Sequence, residues 1–534
     1  MFSESRLLLK APAFDMAWLE DAHAFDSAAE PDPIIMLPSG GGSTKTGVKN
    51  QVQLMRPLDD ATLYNYQGFE TDGAKMEGSG ICSSLCAGTM LDGSRMVCTL
   101  IDDKCLLTRL TRDPAYVKPA ATAPSSSSKN KEYVSSRAPL PASGLKFRRL
   151  AEFKADHHET DPGVRSCCFA TVESVEGEGE QAKKSVCDVL VTGGNDGCVR
   201  VWTVVEEDEG DFSFPLAATL RGHSGTVLRV SASPIRGWAA SASEDGTFRV
   251  WDLAGETCVA SCGPCACSCS AVLSLTMRNT QVSLRISLVL ITFPPPRRTH
   301  TRFLSFLSRG PTAGEDASLL TVPCSTEGLQ GKASCMDVAF GRGLDTPKEL
   351  PDEKDLTFYM YSLQCPKKGP AQLIKWRVVA DSGPGPGPGD KASKDKGGGV
   401  VLRAAQEAMQ TVCNAPAKRL AVSATGLFVA CGCSDGAAVV VNALSMRKYG
   451  RYLCHDLPVT GLAFAPDSVA AAQDVPAVLT SVSADCRIAS IPLGGVSPWM
   501  QQAARTLFLV IVLVLMLVTA ALLSGFALPP LKIQ

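Results

Sequence analysis

The reading of this chain turns on Gly222–Asp252, GHSGTVLRVSASPIRGWAASASEDGTFRVWD. An apolar stretch runs into a tight turn carrying Asp245 and Gly246, and a second stretch alternates apolar and polar residues as far as Trp251. Period-two alternation about a turn of this composition predicts a β-hairpin. The unit carries a His after a Gly, a strand Ser, a turn Asp and a strand Trp, namely His223, Ser241, Asp245 and Trp251. Buried polar groups must satisfy one another, so these four are expected to form one hydrogen-bonded network. That role is structural and not catalytic.

Working outward, Ala239–Trp251 has counterparts in Val189–Trp202 (VLVTGGNDGCVRVW), Val429–Val441 (VACGCSDGAAVVV) and Leu479–Ile491 (LTSVSADCRIASI). Each is an apolar strand, a turn with Asp (Asp196, Asp435, Asp485) and a second strand. The spacing, about 50 residues, slightly exceeds the ~40–45 of a WD repeat, whose GH…WD signature Gly222–Asp252 carries. Met96–Leu110, Phe358–Val378 and Ile34–Met55 repeat the form more loosely, which brings the hairpins to seven. The expected fold is therefore all-β, a seven-bladed WD-repeat β-propeller over 1–495. Arg6–Ala11 (RLLLKA) is expected to close the ring by supplying the outer strand of the last blade. Insertions are expected at about 118–144, 263–330 and 381–399, where Ser, Pro, Gly and Lys dominate or the pattern lapses. Within the second, Ser270–Gly310 has no evident strand–turn pattern and reads as a disordered insertion. Glu206–Asp211 reads as an acidic, solvated loop.

Composition sets limits on function. The chain has 534 residues, 45% of them hydrophobic and 20% charged, with a net charge of -2 and a pI near 6.3. A globular protein fits these figures, and a nucleic-acid partner, which needs a basic surface, does not. The 21 cysteines are odd in number and scattered, the pattern of a reduced, cytosolic thiol inventory. Met1–Lys10 holds only Leu7–Leu9 as an apolar run, too short for a signal-peptide core. Thr506–Leu528, by contrast, carries no charge at all. As a helix it would reach roughly 35 Å, enough for a hydrocarbon core of ~30 Å. A transmembrane anchor is expected at 506–528, with 529–534 as a short lumenal tail and the propeller in the cytosol.

Two motifs invite chemistry. Cys262-Gly-Pro-Cys265 has the spacing of a thiol redox pair, with Cys267 and Cys269 close by. It lacks the βαβ setting that would put Cys262 at a helix N-terminus and activate it, so a loop with free thiols is the expectation. Gly40–Gly47 (GGGSTKTG), within Ser39–Asn50 (SGGGSTKTGVKN), resembles a phosphate-binding loop at a glance. That loop needs Gly directly before the Lys and another five positions earlier, where this chain has Thr44 and Ser39. What three successive glycines do allow is positive φ and bare carbonyls, which can converge on a potassium ion. Lys45, Lys49 and Asn50 add donors for a partner.

The same twelve residues, with the repeats and the apolar C-terminal stretch, resemble the Sec-twelve/PREB family of endoplasmic-reticulum membrane proteins. The family pattern is GGGG-x-x-[KR]-[ST]-G-[IV]-x-N, and Ser39 stands where its first glycine is usual. The resemblance implies a guanine-nucleotide exchange factor for the Sar-type small GTPase that starts COPII coat assembly, acting by differential binding and without covalent catalysis. It further implies potassium held around Ser39, Gly40, Gly41 and Gly42, and a GTPase-contacting edge at Lys45, Thr46, Gly47, Val48, Lys49 and Asn50. The alternative is a tail-anchored WD-repeat scaffold without exchange activity.

Overall fold

Each of the seven hairpins doubles back on itself and, in the computed structural model, becomes the middle pair of strands in a four-stranded blade. The structure describes residues 5–9, 11–19, 33–40, 49–57, 66–72, 75–76, 80–112, 142–176, 183–207, 212–234, 237–253, 257–265, 272–278, 281–287, 321–325, 333–341, 355–366, 369–382, 400–494 and 516. Strands are given from the ring axis outward. Blade 1 comprises Ala17–Leu19, Ile34–Ser39, Asn50–Pro57 and Tyr66–Asp72, and blade 2 Cys82–Thr89, Arg95–Ile101, Lys104–Arg112 and Ala142–Lys154. Blade 3 is Val164–Glu176, Lys183–Gly194, Val199–Thr203 and Leu216–Leu220; blade 4 is Val227–Ala232, Trp238–Ser243, Phe248–Asp252 and Thr257–Cys265. Blade 5 is Ala333–Phe340, Asp355–Pro366, Ala371–Ser382 and Val400–Cys413, and blade 6 is Ala417–Val422, Phe428–Cys433, Ala437–Asn442 and Lys448–Leu453. Blade 7 takes Val459–Phe464, Ala477–Ser483 and Arg487–Leu493 from the end of the domain, and its outer strand, Ser5–Leu8, from the beginning. The closing strand expected at Arg6–Ala11 thus lies slightly earlier, in antiparallel register with Arg487–Ser490.

Burial between blades explains why a ring forms. A four-stranded blade has two apolar faces, so neither is covered until a blade stands on each side. Seven apolar clusters fill the seven interfaces. Trp238 and Phe358 meet between blades 4 and 5, and Leu54 and Leu110 lie together between blades 1 and 2. Trp18 and Ile35 of blade 1 share a cluster with Val478 and Ile488 of blade 7, which closes the circle.

A second regularity lies in the inner strands. Blades 2 to 7 each carry a β-bulge at the start of the pairing between first and second strand, between Cys82 and Ser84, Val164 and Ser166, Val227 and Arg229, Cys335 and Asp337, Ala417 and Arg419, and Val459 and Gly461. A bulge adds one residue and re-aims the side chain that follows. The residue after each bulge is therefore delivered to an equivalent place near the axis.

Outside the regular blades, Ala142–Lys154 also pairs in parallel with Tyr66–Asp72, joining blades 1 and 2. Thr321–Ser325 adds a fifth strand to blade 4. Ser270–Gly310 departs from expectation. Val272–Arg278 and Gln281–Ser287 pair as an antiparallel hairpin, both strands alternating apolar with polar residues about the turn. Strands likewise run into the edges of the expected insertions, at Ala142, Cys265 and Ser382. At the two ends of the expected acidic loop, Val205–Glu206 pairs with Phe212–Ser213, and Phe212 is buried.

Asp467–Ala472 is a short helix. No helix among the described residues is long and apolar enough to cross a membrane. The expected anchor, 506–528, lies outside the described residues apart from Met516, which is helical.

Candidate functional site

The glycine-rich segment leaves blade 1 at Ser39 and re-enters it at Asn50, at the same end of the blade as the Asp turns of its neighbours. Residues 41–48, which include Gly41, Gly42, Lys45, Thr46, Gly47 and Val48, lie outside the described residues. The base that carries them is well defined. Ser39 is wholly buried, pairs with Gln51 in the strand register, and donates its hydroxyl to the Gln51 carbonyl at 3.1 Å. Its side chain is therefore engaged in closing the strand pair, not turned toward an ion. Gly40 follows with φ +136°, and a Cβ there would lie 2.7 Å from the Asn50 Cα. Both the backbone angle and the space demand glycine. Lys49 is exposed.

Asn50 corrects the sequence expectation. Expected on the contact edge, it is only 1% exposed. Its Nδ2 donates to the Gly80 carbonyl at 2.5 Å, tying the loop base to the entry of blade 2, and among the described residues its Oδ1 meets no hydrogen-bond donor. A buried acceptor without a donor is costly, and an amide oxygen is the hard donor that potassium takes. Such an oxygen is of the kind a potassium ion would use, and Asn50 stands at the buried base of the loop.

The structure brings His223, Ser241, Asp245 and Trp251 together. His223 Nδ1 lies 2.9 Å from Asp245 Oδ2, and His223 Nε2 lies 2.7 Å from Ser241 Oγ. Trp251 Nε1 donates to Ser241 Oγ at 2.8 Å. Since indole can only donate, the serine hydroxyl is free to give its own proton to Nε2, which leaves the imidazole neutral with its proton on Nδ1, facing Asp245. Burial lowers the His223 pKa, in keeping with that neutral form. Burial opposes ionisation of Asp245, but the bonds from His223 and Thr247 outweigh it and hold the carboxyl well below its usual range.

Two polar assemblies went unpredicted. In blade 7, His455 Nδ1 lies 3.2 Å from Asp485 Oδ1 and His455 Nε2 lies 2.9 Å from Ser481 Oγ. The signal was a His directly ahead of the inner strand and an Asp turn; Cys454 in place of Gly and Ile491 in place of Trp obscured it. The second assembly is a ring in which residues that follow the bulges meet Asp15. Asp15, just ahead of blade 1, accepts from Ser84 of blade 2 at 2.5 Å and from Arg229 of blade 4 at 2.9 Å, with Arg419 of blade 6 at 3.8 Å. Asp337 of blade 5 lies 3.6 Å from Arg229 and accepts from the Leu420 N–H at 2.9 Å. Residues from five blades can share these contacts only at the axis. Gly461 of blade 7 leaves the space the seventh member needs, since a Cβ there would sit 2.8 Å from the Asp15 carbonyl carbon. Burial would raise the Asp15 carboxyl, yet Arg229 and Arg419 bring it below its usual range; for Asp337, farther from Arg229, burial prevails and the pKa rises.

Blade count, closure and network define the class: a β-propeller of seven blades whose histidine networks are those of WD repeats. Comparison with known proteins agrees. The family described as WD domain, G-beta repeat, matches residues 149–203 and 214–252, so these stretches carry WD repeats. It is similar to the protein transport protein sec13 of Aspergillus fumigatus, 32% identical over 117 residues, which is 20% of this chain and 35% of the relative. It is also similar to the ribosome biogenesis protein WDR12 homolog of Chlamydomonas reinhardtii, 41% identical over 71 residues, covering 13% of this chain and 16% of that one. The pre-mRNA-processing factor 19 homolog 2 of Arabidopsis thaliana is 34% identical over 73 residues, 14% of this chain and 13% of the relative. The chain matches no more than about a third of these curated relatives' length.

Cys262 and Cys265 lie in the outer strand of blade 4, Thr257–Cys265, where a loop was expected. A helix N-terminus, the setting that would activate Cys262, is therefore not its position.

Proposed function

We propose that this chain is a guanine-nucleotide exchange factor for a Sar-type small GTPase, anchored by 506–528 in the endoplasmic-reticulum membrane, where it starts COPII coat assembly. The observation that carries the reading is the base of the glycine-rich loop: a buried Asn50 oxygen without a partner among the described residues, pressed against a glycine that tolerates no side chain. A loop of no consequence would not retain a buried acceptor left unmade. The carbonyls of Gly40, Gly41 and Gly42 and the Asn50 Oδ1 would hold a potassium ion, which when bound supplies a fixed positive charge at the loop base. Lys45, Thr46, Gly47, Val48 and Lys49 would present the contact edge. The propeller would bind the nucleotide-free GTPase more tightly than the nucleotide-bound one, and by linkage weaken nucleotide affinity. The ring of blades supplies the rigid platform such differential binding needs.

The test is exchange of a fluorescent guanine nucleotide on a purified Sar-type GTPase by the full chain in detergent. Potassium buffer is compared with sodium, and wild type with Lys45→Ala and Lys49→Ala. Acceleration that needs potassium and falls in the lysine variants is expected. A folded wild type that leaves the exchange rate unchanged would refute the proposal. The second reading, a WD-repeat scaffold in protein transport without exchange activity, is favoured by the similarity to proteins named protein transport protein sec13. It predicts that the GTPase rate is insensitive to the loop.

A further inference from the structure

Blades 2 and 3 meet around an unusual concentration of sulfur. Cys86 lies on the inner strand of blade 2, Cys98 on its second strand, and Cys167 on the inner strand of blade 3. Their Sγ atoms all lie within 4.8 Å of one another. Cys98 and Cys167 are buried and Cys86 is half-buried. Cys105, on the third strand of blade 2, hydrogen-bonds Cys98.

Buried cysteines usually serve as small apolar side chains, and a lone one here would need no further account. Three thiols converging from two separate blades are different. Sulfur atoms bound to one metal at ~2.3 Å sit about 4 Å apart, so the observed separations need only a small contraction. The donor set also selects the metal. All three ligands are sulfur, and soft thiolates favour monovalent copper, zinc or iron–sulfur centres. A closed zinc site takes four ligands, and the mutual group holds three. Burial among Met90, Met96, Leu100, Leu107 and Trp202 keeps water from completing the shell.

We propose that Cys86, Cys98 and Cys167 form a three-thiolate site for monovalent copper that staples blade 2 to blade 3. Binding displaces up to three thiol protons to solvent as three S–Cu bonds form, and the metal enters and stays in the +1 state, so no oxidant or reductant is consumed. The site is independent of the glycine-rich loop and of any exchange activity.

The full chain, reduced and free of metal, is titrated anaerobically with Cu(I) and, separately, with Zn(II), each against a chromophoric chelator. Wild type is compared with Cys98→Ser, with Cys167→Ser, and with a control carrying Cys262→Ser, Cys265→Ser, Cys267→Ser and Cys269→Ser. One tightly held Cu(I) per chain is expected, weakened by at least ~10-fold in each single variant and unchanged in the quadruple control. In the wild type, where folding is not in question, Cu(I) should also protect Cys86, the half-buried member, from alkylation while Cys187 reacts as before. Loss of copper in the quadruple control would overturn the proposal, as would alkylation of Cys86 unaffected by Cu(I). Zinc held more tightly than copper would overturn the three-coordinate assignment.

Discussion

Replacing Asp15 with Asn isolates the contribution of the axial ring. The change preserves size and removes one negative charge from a cluster of two aspartates and two arginines. Arg229 loses its partner at 2.9 Å, Arg419 loses the one at 3.8 Å, and both are left to share Asp337. Breaking a buried ion pair by removing one member costs about 3–5 kcal/mol, because the surviving charge stays desolvated. Here Asp337 remains 3.6 Å from Arg229, and the amide oxygen can still accept from Ser84, which argues for the lower figure, about 3 kcal/mol. For a domain of this size that corresponds to a fall in Tm on the order of 5 °C. Equilibrium urea unfolding followed by circular dichroism reads the change as a lowered midpoint at constant slope. The Lys104–Glu152 pair supplies the control: its 2.8 Å separation is as short, but it lies on the surface. Glu152→Gln should leave the midpoint where it was. Combining Asp15→Asn with Arg419→Gln removes the surplus positive charge, so the double variant should lose less than the sum of the single ones. If Asp15→Asn unfolds at the wild-type midpoint, the ring carries no net stability and the reasoning fails.

Three further outcomes are expected. His223 is held neutral with a folded pKa below its ordinary 6.5; its contribution is therefore present above about 6.5 and lost as pH falls, so Tm should decline on acidification through that value and His223→Gln should flatten the decline. Gly40→Ala forces a side chain into a left-handed backbone against Asn50, and should cost more than about 1 kcal/mol in urea unfolding; an unchanged midpoint would mean the loop base is looser than described. Ser481→Ala strips the buried His455 Nε2 of its partner at 2.9 Å and should cost about 1–3 kcal/mol, measured in the same way; a neutral result would show that water replaces the hydroxyl.

The seven hairpins and the first histidine network were legible because both are local. A hairpin needs only alternation and a turn, and His223 to Trp251 fall within one repeat. The closing strand was legible for a different reason: a ring leaves one strand missing, and Leu7–Leu9 was the apolar run available at the other end of the chain. The axial ring was not legible, because its members stand one to a blade and are separated by bulges that shift the period-two pattern locally. Nothing near Arg229 in the sequence announces Asp15. The burial of Asn50 was not legible for a related reason: its position beside a lysine at the end of a polar loop suggests exposure, whereas its side chain reaches the Gly80 carbonyl at the entry to blade 2.

The ring also bears on how the loop is held. Asp15 and Ala17–Leu19 are separated only by Met16, so the ions that fix Asp15 fix the inner strand of blade 1. That strand pairs with Ile34–Ser39, whose last residue is the first of the glycine-rich loop. From the other side, the Thr460 hydroxyl of blade 7 donates to the Ala13 carbonyl at 2.7 Å, and Arg419 donates to the Phe14 carbonyl at 3.2 Å. The segment leading into blade 1 is thus clamped by blades 4, 6 and 7, and Asn50 clamps the loop's exit to blade 2. A binding loop works best when its ends are fixed, since each ordered residue at the base is one that a partner need not order on binding. On this ground a variant that loosens the axis should weaken a partner at the loop without altering a single contact residue. Asp15→Asn, measured at a temperature where the ring is still folded, should therefore reduce the proposed exchange activity less than Lys45→Ala but more than Glu152→Gln.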